Sequence, residues 1–258
     1  VRQKLAALRA EEEGGAVGDQ NKGVFIRALY QEGLDEGSIV DSCLNFVIAG
    51  ESVALYPGDV YPSGSVGRDT TAQALTWGFY ELITNPACQA KLANAVDNLP
   101  PNCSLGEMIA QRPFLEWVIS ETIRMHPSAP FGVAQNTSGI THVLPDNTVV
   151  MPLDQVFWSP WSIQRYHPVF GSQPEAFIPE RWETMDRKPT VYEAPAFHAG
   201  PRSCLGQQMA RTEMAYVLVE LVKRYEMVRA WGDGDRKLDE GMAGEMLGGL
   251  PVKVKRRV

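Results

Sequence analysis

The residues best suited to chemistry in this chain lie in one short segment, Phe197-His198-Ala199-Gly200-Pro201-Arg202-Ser203-Cys204-Leu205-Gly206. It sets a cysteine just before an amphipathic helical stretch expected from about Leu205 to Tyr225, with Met209, Met214, Val217, Leu218 and Leu221 inward. A helix start presents free N–H groups and positive potential, which favour a thiolate. Gly200 and Gly206 remove side chains where a flat prosthetic group would approach the backbone. Arg202 suits an anionic substituent of that group, and Phe197 suits packing beside the sulfur as a shield. The competing account is a buried free cysteine, because free cysteine is commonly core.

Two further segments carry charge in suggestive places. Glu121 and Arg124 stand at i and i+3 of a helical stretch, PFLEWVISETIRM (113–125), so they share a face and can form a charge-assisted bond. A surface ion pair is the plainer account. Asp69-Thr70-Thr71 opens another helical stretch, 68–85, where an N-cap role is equally available.

Bulk properties narrow the function classes. The 258 residues carry a net charge of −7, which argues against a nucleic-acid surface; the basic run Lys253, Lys255, Arg256, Arg257 is short and reads as a solvated strand end. Cys43, Cys88, Cys103 and Cys204 are widely spaced, with no Cys-x-x-Cys pair, which argues against a zinc finger or a disulfide framework and for a reducing compartment. No apolar run is long enough for a membrane span, and Val1 begins no signal peptide. The chain starts without Met, so its beginning is expected to be a fragment boundary or a processed end.

The elements that must position these residues are mostly helical. Helices are expected over 1–13, from about Val24 to Tyr30, and over 34–50, 68–85, 113–125 and 205–225. Leu75, Phe79 and Leu82 form the buried stripe of 68–85, and Leu115, Val118, Ile119 and Ile123 that of 113–125. Residues 131–160 read as short strands, 160–203 as a long ordered meander, and the tail PVKVKRRV as an edge strand. His198 reads as a loop residue, and Met125, His126, Trp117 and Trp182 as packing.

The pattern F-x-x-G-x-R-x-C-x-G over 197–206 resembles the signature of the cytochrome P450 family. Glu121-Thr-Ile-Arg124 is similar to its E-x-x-R element and Pro179-Glu180-Arg181-Trp182 to its P-E-R-F/W element, in the family's order. The resemblance implies a mainly α fold with small β-sheets, of which this chain is the C-terminal part, residues 1–258 forming one partial domain. It implies haem b with Cys204 as the iron's thiolate ligand, which pushes electron density onto iron and favours O–O cleavage. Phe197, Gly200, Arg202 and Gly206 would complete the haem-binding loop, and Arg181 would join Glu121 and Arg124 in a buried structural triad. Asp69 and Thr70 would be the acid–alcohol pair that delivers protons to dioxygen. Where the family places a basic residue toward a haem propionate, Ala134-Gln135 offers none, and Arg165 stands where the family has its own arginine.

The implied function is a monooxygenase that hydroxylates a hydrophobic substrate. Electrons would come from NAD(P)H through an NADPH-cytochrome reductase or a fused reductase domain. The phrases AG-RDTTAQALTW and FHAGPRSCLGQQMA most resemble fungal and plant fatty-acid and alkane hydroxylases. The parent protein is expected at the cytosolic face of the endoplasmic reticulum membrane, its anchor in an N-terminal half beyond this chain. Residues 51–67, rich in Pro, Gly, Tyr and Ser, interrupt the long central helix. Removing them joins Gly50 to Arg68 and restores the family phrase, and their edges can be encoded as splice sites, so a translated intron is expected. A genuine surface loop is the alternative. Two rival functions stand beside the enzyme: a truncated, mis-spliced and catalytically inactive fragment, or a helical scaffold with chance motifs.

Overall fold

The structure, a computed structural model, describes residues 31, 33, 35, 66–98, 113–232, 234, 236–238 and 244–257. The chain divides into two units, Val1–Asp69 and Thr70–Val258. In the first, Gln31, Gly33 and Asp35 are exposed. The helices expected over 1–13, 24–30 and most of 34–50, and segment 51–65, lie outside the described residues.

Among the described residues the second unit is mainly helical with small sheets. Helix α1 spans Val66–Thr84 and α2 spans Pro86–Asp97. Helix α2 is an addition to the sequence reading, although its signal is plain: Pro86 sits in the first turn, and Gln89, Leu92, Ala93 and Val96 recur at helical spacing and are buried. Helix α3, Pro113–Met125, is buried on nearly every side, from Phe114 and Leu115 to Arg124 and Met125. A later helix, Gln207–Arg224, packs Met214, Ala215, Leu218, Val219 and Val222 against Leu82, Leu92, Leu115, Val118 and Ile119 to form the main core. The buried amide of Gln89 ties α2 to the following sheet, donating to the Leu82 and Met227 carbonyls and accepting from the Met227 N–H at 2.8 Å.

The sheets are two-stranded and antiparallel. Strand β1 (Gly132–Gln135) pairs with β4 (Gln155–Trp158), β2 (His142–Val143) with β3 (Val149–Val150), and β5 (Tyr225–Arg229) with β6 (Val252–Arg256). Segment 160–203 is more regular than a meander. It holds helix α4 (Pro160–Tyr166), opened by Pro160 and capped by the Ser159 hydroxyl, which accepts from the Ser162 N–H. It also holds the short helix α5 (Arg181–Thr184) and 3-10 turns at Pro168–Phe170, Pro195–Phe197 and Gly200–Arg202.

Helix α6, Gln207–Arg224, begins two residues later than expected, and its buried stripe differs. Met209, expected inward, is 66% exposed, and Val217 and Leu221 are only partly buried. The helix turns the 214/215/218/219/222 face to the core, which leaves its first turn beyond the core's reach.

Candidate functional site

A buried carboxylate organises the region behind the cysteine loop. Glu121 is fully buried, as is Arg124 one turn later on α3. Arg124 meets Glu121 in a bidentate pair, Nε to Oε2 and Nη2 to Oε1, each at 2.9 Å. Arg181, at the start of α5, donates from Nε to Glu121 Oε1 at 2.8 Å. The Ile178 amide and the Trp182 indole N–H also donate to this carboxylate, at 3.0 and 2.9 Å. Trp182 therefore packs and also hydrogen-bonds, a role that its sequence context did not reveal. The remaining guanidinium donors meet backbone carbonyls: Gln164, Pro174 and Ala176 for Arg124, and Phe170, Gln173 and Ala176 for Arg181. A buried ionic group is tolerable when its lone pairs and protons are satisfied in this way. The arrangement thereby ties the backbone of 164–182 to α3.

The cysteine loop is closed by its own backbone. The Cys204 N–H donates to the Phe197 carbonyl at 2.8 Å, closing the loop. The Phe197 ring is partly buried against the main core, while Cys204 is exposed. Gly200 takes φ +69°, a conformation that L side chains resist, and a Cβ there would meet nothing within 4 Å. Its requirement is thus conformational. Arg202 closes a 3-10 turn with its backbone; its side chain lies outside the described residues. His198 adopts φ 65° and ψ −176°, a region open mainly to glycine, and its ring lies edge-on to Trp158 at 4.8 Å. Trp158 can occupy that place because it faces Gly132 across the β1–β4 ladder. Any Cβ at Gly132 would meet the indole at 2.4 Å.

The third motif lies at the start of α1. Asp69 falls in its first turn, and Thr70 and Thr71 follow; Thr71 is buried. The Thr70 carbonyl receives the Ser128 hydroxyl at 2.7 Å, which pins the helix start to the segment after α3. His126 strengthens the same junction. It is stacked on Trp77 at 4.3 Å and bonded to Glu81 at 2.7 Å, and burial holds its pKa below the usual imidazole range. Arg165 finds its partners in Glu175, at 3.2 Å, and the Trp161 ring, 3.8 Å from its guanidinium carbon.

The donor set near Cys204 fits the haem implied by the sequence resemblance. Among the described residues, no three His, Cys, Asp or Glu side chains converge on a metal position. A single cysteine sulfur would suit an iron whose other ligands a prosthetic group supplies. Cys204 is exposed, and Leu205 and Met209, which follow it in the chain, are 79% and 66% exposed, apolar surface available to a flat ring. A Cβ at Gly206 would meet only the Cys204 sulfur, at 3.8 Å. The N-cap of α6 is Gly206, with no side-chain cap and no acidic residue in the first turn, so the positive helix end remains available to an anion.

The cytochrome P450 family model matches residues 66–256. The cytochrome P450 CYP94D108 of Paris polyphylla is 32% identical over 98% of this chain and 48% of its own length. Cytochrome P450 52C1 of Candida tropicalis is 36% identical over 62% of this chain and 32% of its own length. Cytochrome P450 monooxygenase alt2 of Alternaria solani is 34% identical over 64% of this chain and 33% of its own. The chain thus spans about half or less of the length of these curated relatives. The family match runs from the first residue of α1 to the last of β6, and on that extent the chain belongs to the cytochrome P450 family.

Proposed function

We propose that this chain is the haem-binding part of a monooxygenase that hydroxylates a hydrophobic substrate, a fatty acid or an alkane. The observation that carries this reading is the exposed Cys204 in a closed loop before α6, backed by a satisfied buried ionic anchor. When bound, the haem supplies dioxygen activation with electrons from NAD(P)H through a reductase, separate or fused. The protein's contribution is positional. Cys204 would hold the iron through its sulfur, Gly200, Gly206 and Phe197 would shape the loop, and Arg202 would meet an anionic substituent of the haem. Asp69 and Thr70, in the first turns of α1, would serve as the acid–alcohol pair that supplies protons to the oxygen chemistry. The sequence phrases around Asp69 and Cys204 support the fatty-acid or alkane class. The parent protein is assigned to the cytosolic face of the endoplasmic reticulum membrane, anchored through sequence beyond this chain; no described helix is long and apolar enough to cross a membrane.

The test is haem loading of the purified protein followed by the carbon-monoxide difference spectrum of its reduced form. A thiolate-type Soret band is expected. A histidine-type band, or none after haem uptake, supports the inactive-fragment reading, and failure to take up haem supports a scaffold.

Residues 51–67 are proposed to be an aberrant insertion, a translated intron, in the long helix that carries Asp69 and Thr70. Helix α1 and the family match both begin at Val66, so the last two residues of the segment, Val66 and Gly67, fall within both. Two prolines inside a continuous helix would break its ladder at roughly 3 kcal/mol each. Deleting 51–67 in a full-length protein should therefore raise haem incorporation and oxygenase turnover several-fold. Unchanged haem content and turnover would identify the segment as a tolerated loop.

A further inference from the structure

The buried anchor and the cysteine loop are joined by one side chain to which neither motif assigns a role. Gln164, on α4, is 1% exposed. Its amide nitrogen donates to the Ile123 and Arg124 carbonyls, each at 3.1 Å. These belong to the last turn of α3, where carbonyls lack intrahelical partners. Its amide oxygen accepts the Ala196 N–H at 3.0 Å, inside the 3-10 turn Pro195–Phe197. The carbonyl of the next residue, Phe197, is the one that receives the Cys204 N–H. Gln164 is itself held from behind, because Arg124 Nη1 donates to its carbonyl at 3.0 Å.

We propose that Gln164 is a positioning residue for Cys204, transmitting the rigidity of the Glu121–Arg124–Arg181 anchor to the loop from which the sulfur meets the iron. The proposal rests on the reading of Cys204 as the haem ligand. Both ends of the Gln164 amide are used, and each meets a different element. That polarity matters. A buried hydrocarbon of equal size would fill the space but leave two carbonyls and one N–H without partners, and the turn carrying Phe197 would lose the side-chain hydrogen bond that Gln164 gives it. Positioning of this kind acts through backbone order at Ala196 and Cys204, so it has a local signature that general destabilisation lacks.

The experiment compares the haem-loaded full chain with Gln164→Met, which removes the amide, and Gln164→Glu, which keeps an acceptor for the Ala196 N–H. Val222→Ala, a core change on α6 outside the network, serves as a control for lowered stability. Two readouts are taken: the fraction of bound haem giving the thiolate-type carbon-monoxide band, and hydrogen exchange of the Ala196 and Cys204 amides. Gln164→Met should lower the thiolate fraction several-fold and speed exchange at both amides about tenfold relative to Val222→Ala. Gln164→Glu should restore most of the Cys204 protection and thiolate fraction. Equal thiolate fraction and Cys204 exchange in Gln164→Met and Val222→Ala would overturn the proposal. If Gln164→Met does not fold, Gln164→Glu decides. Near-wild-type Cys204 protection and thiolate fraction despite a lower melting temperature supports positioning, and loss of both in step with melting refutes it. A wild-type protein that binds haem without a thiolate band would sink the ligand reading itself, and amide exchange would then judge the hold of Gln164 on Cys204 independently.

Discussion

Replacing Cys204 with alanine should abolish the thiolate-type spectrum of the haem-loaded protein completely while leaving helix content unchanged. The expectation rests on how little of the fold depends on the sulfur. Cys204 is exposed, and the bond that closes its loop is made by its backbone N–H to the Phe197 carbonyl, which alanine retains. The core residues of α6 begin a full two turns later, at Met214, so the helix keeps its packing. Cys88, the other described cysteine, offers no substitute. It is half-buried, and burial together with Glu180 pushes its thiol up to about 12, so it is not a thiolate near neutral pH. Circular dichroism and the reduced carbon-monoxide spectrum together make the measurement. A mutant that keeps the wild-type Soret band would remove Cys204 from the site.

The second large effect is expected at Arg124, and it concerns stability. Arg124→Ala should destabilise the protein by about 3–5 kcal/mol, because it strands a fully buried carboxylate. The loss should also free the Gln164, Pro174 and Ala176 carbonyls that Arg124 now binds. For a chain of this size that corresponds to a melting temperature lower by roughly 10 °C. Arg124→Lys should recover only part of it, since an ammonium cannot reproduce the bidentate fork. Lys91→Ala provides the contrast: the Lys91–Glu180 pair is about half exposed on both sides, and its removal should cost within about 0.5 kcal/mol. Thermal unfolding of these variants decides the matter. A loss at Arg124 as small as that at Lys91 would mean that the anchor is not a unit.

Much of the architecture was legible because it rests on short periods. The 113–125 helix is found with the bounds its sequence suggests, opened by Pro113, and the tail strand pairs antiparallel with β5. Where the reading fell short, the missing information was non-local. Segment 160–203 looked irregular because prolines and glycines dominate it, yet Pro160 starts a helix as a first-turn proline can, and Ser159 caps it. Met209 looked like a core residue from its helical phase alone, but the described residues leave it 66% exposed. Gln164 carried no local mark of burial. Its place depends on two elements that lie 40 residues earlier and 32 residues later in the chain.

The sequence by itself determined the family, the cysteine that stands before α6 and the charged residues of the anchor, because these are choices of residue type at fixed short spacing and require no knowledge of the fold. Only the tertiary structure decided that the Glu121 carboxylate is fully buried and satisfied by two guanidinium groups, an indole and an amide. It alone showed that Gly132 makes room for Trp158 beside His198, and that Gln164 spans from α3 to the cysteine loop. The physical reason is the same in each case. Burial and hydrogen-bond partnership depend on which distant segments meet, and a local pattern of residues specifies what each segment offers but not what it will face.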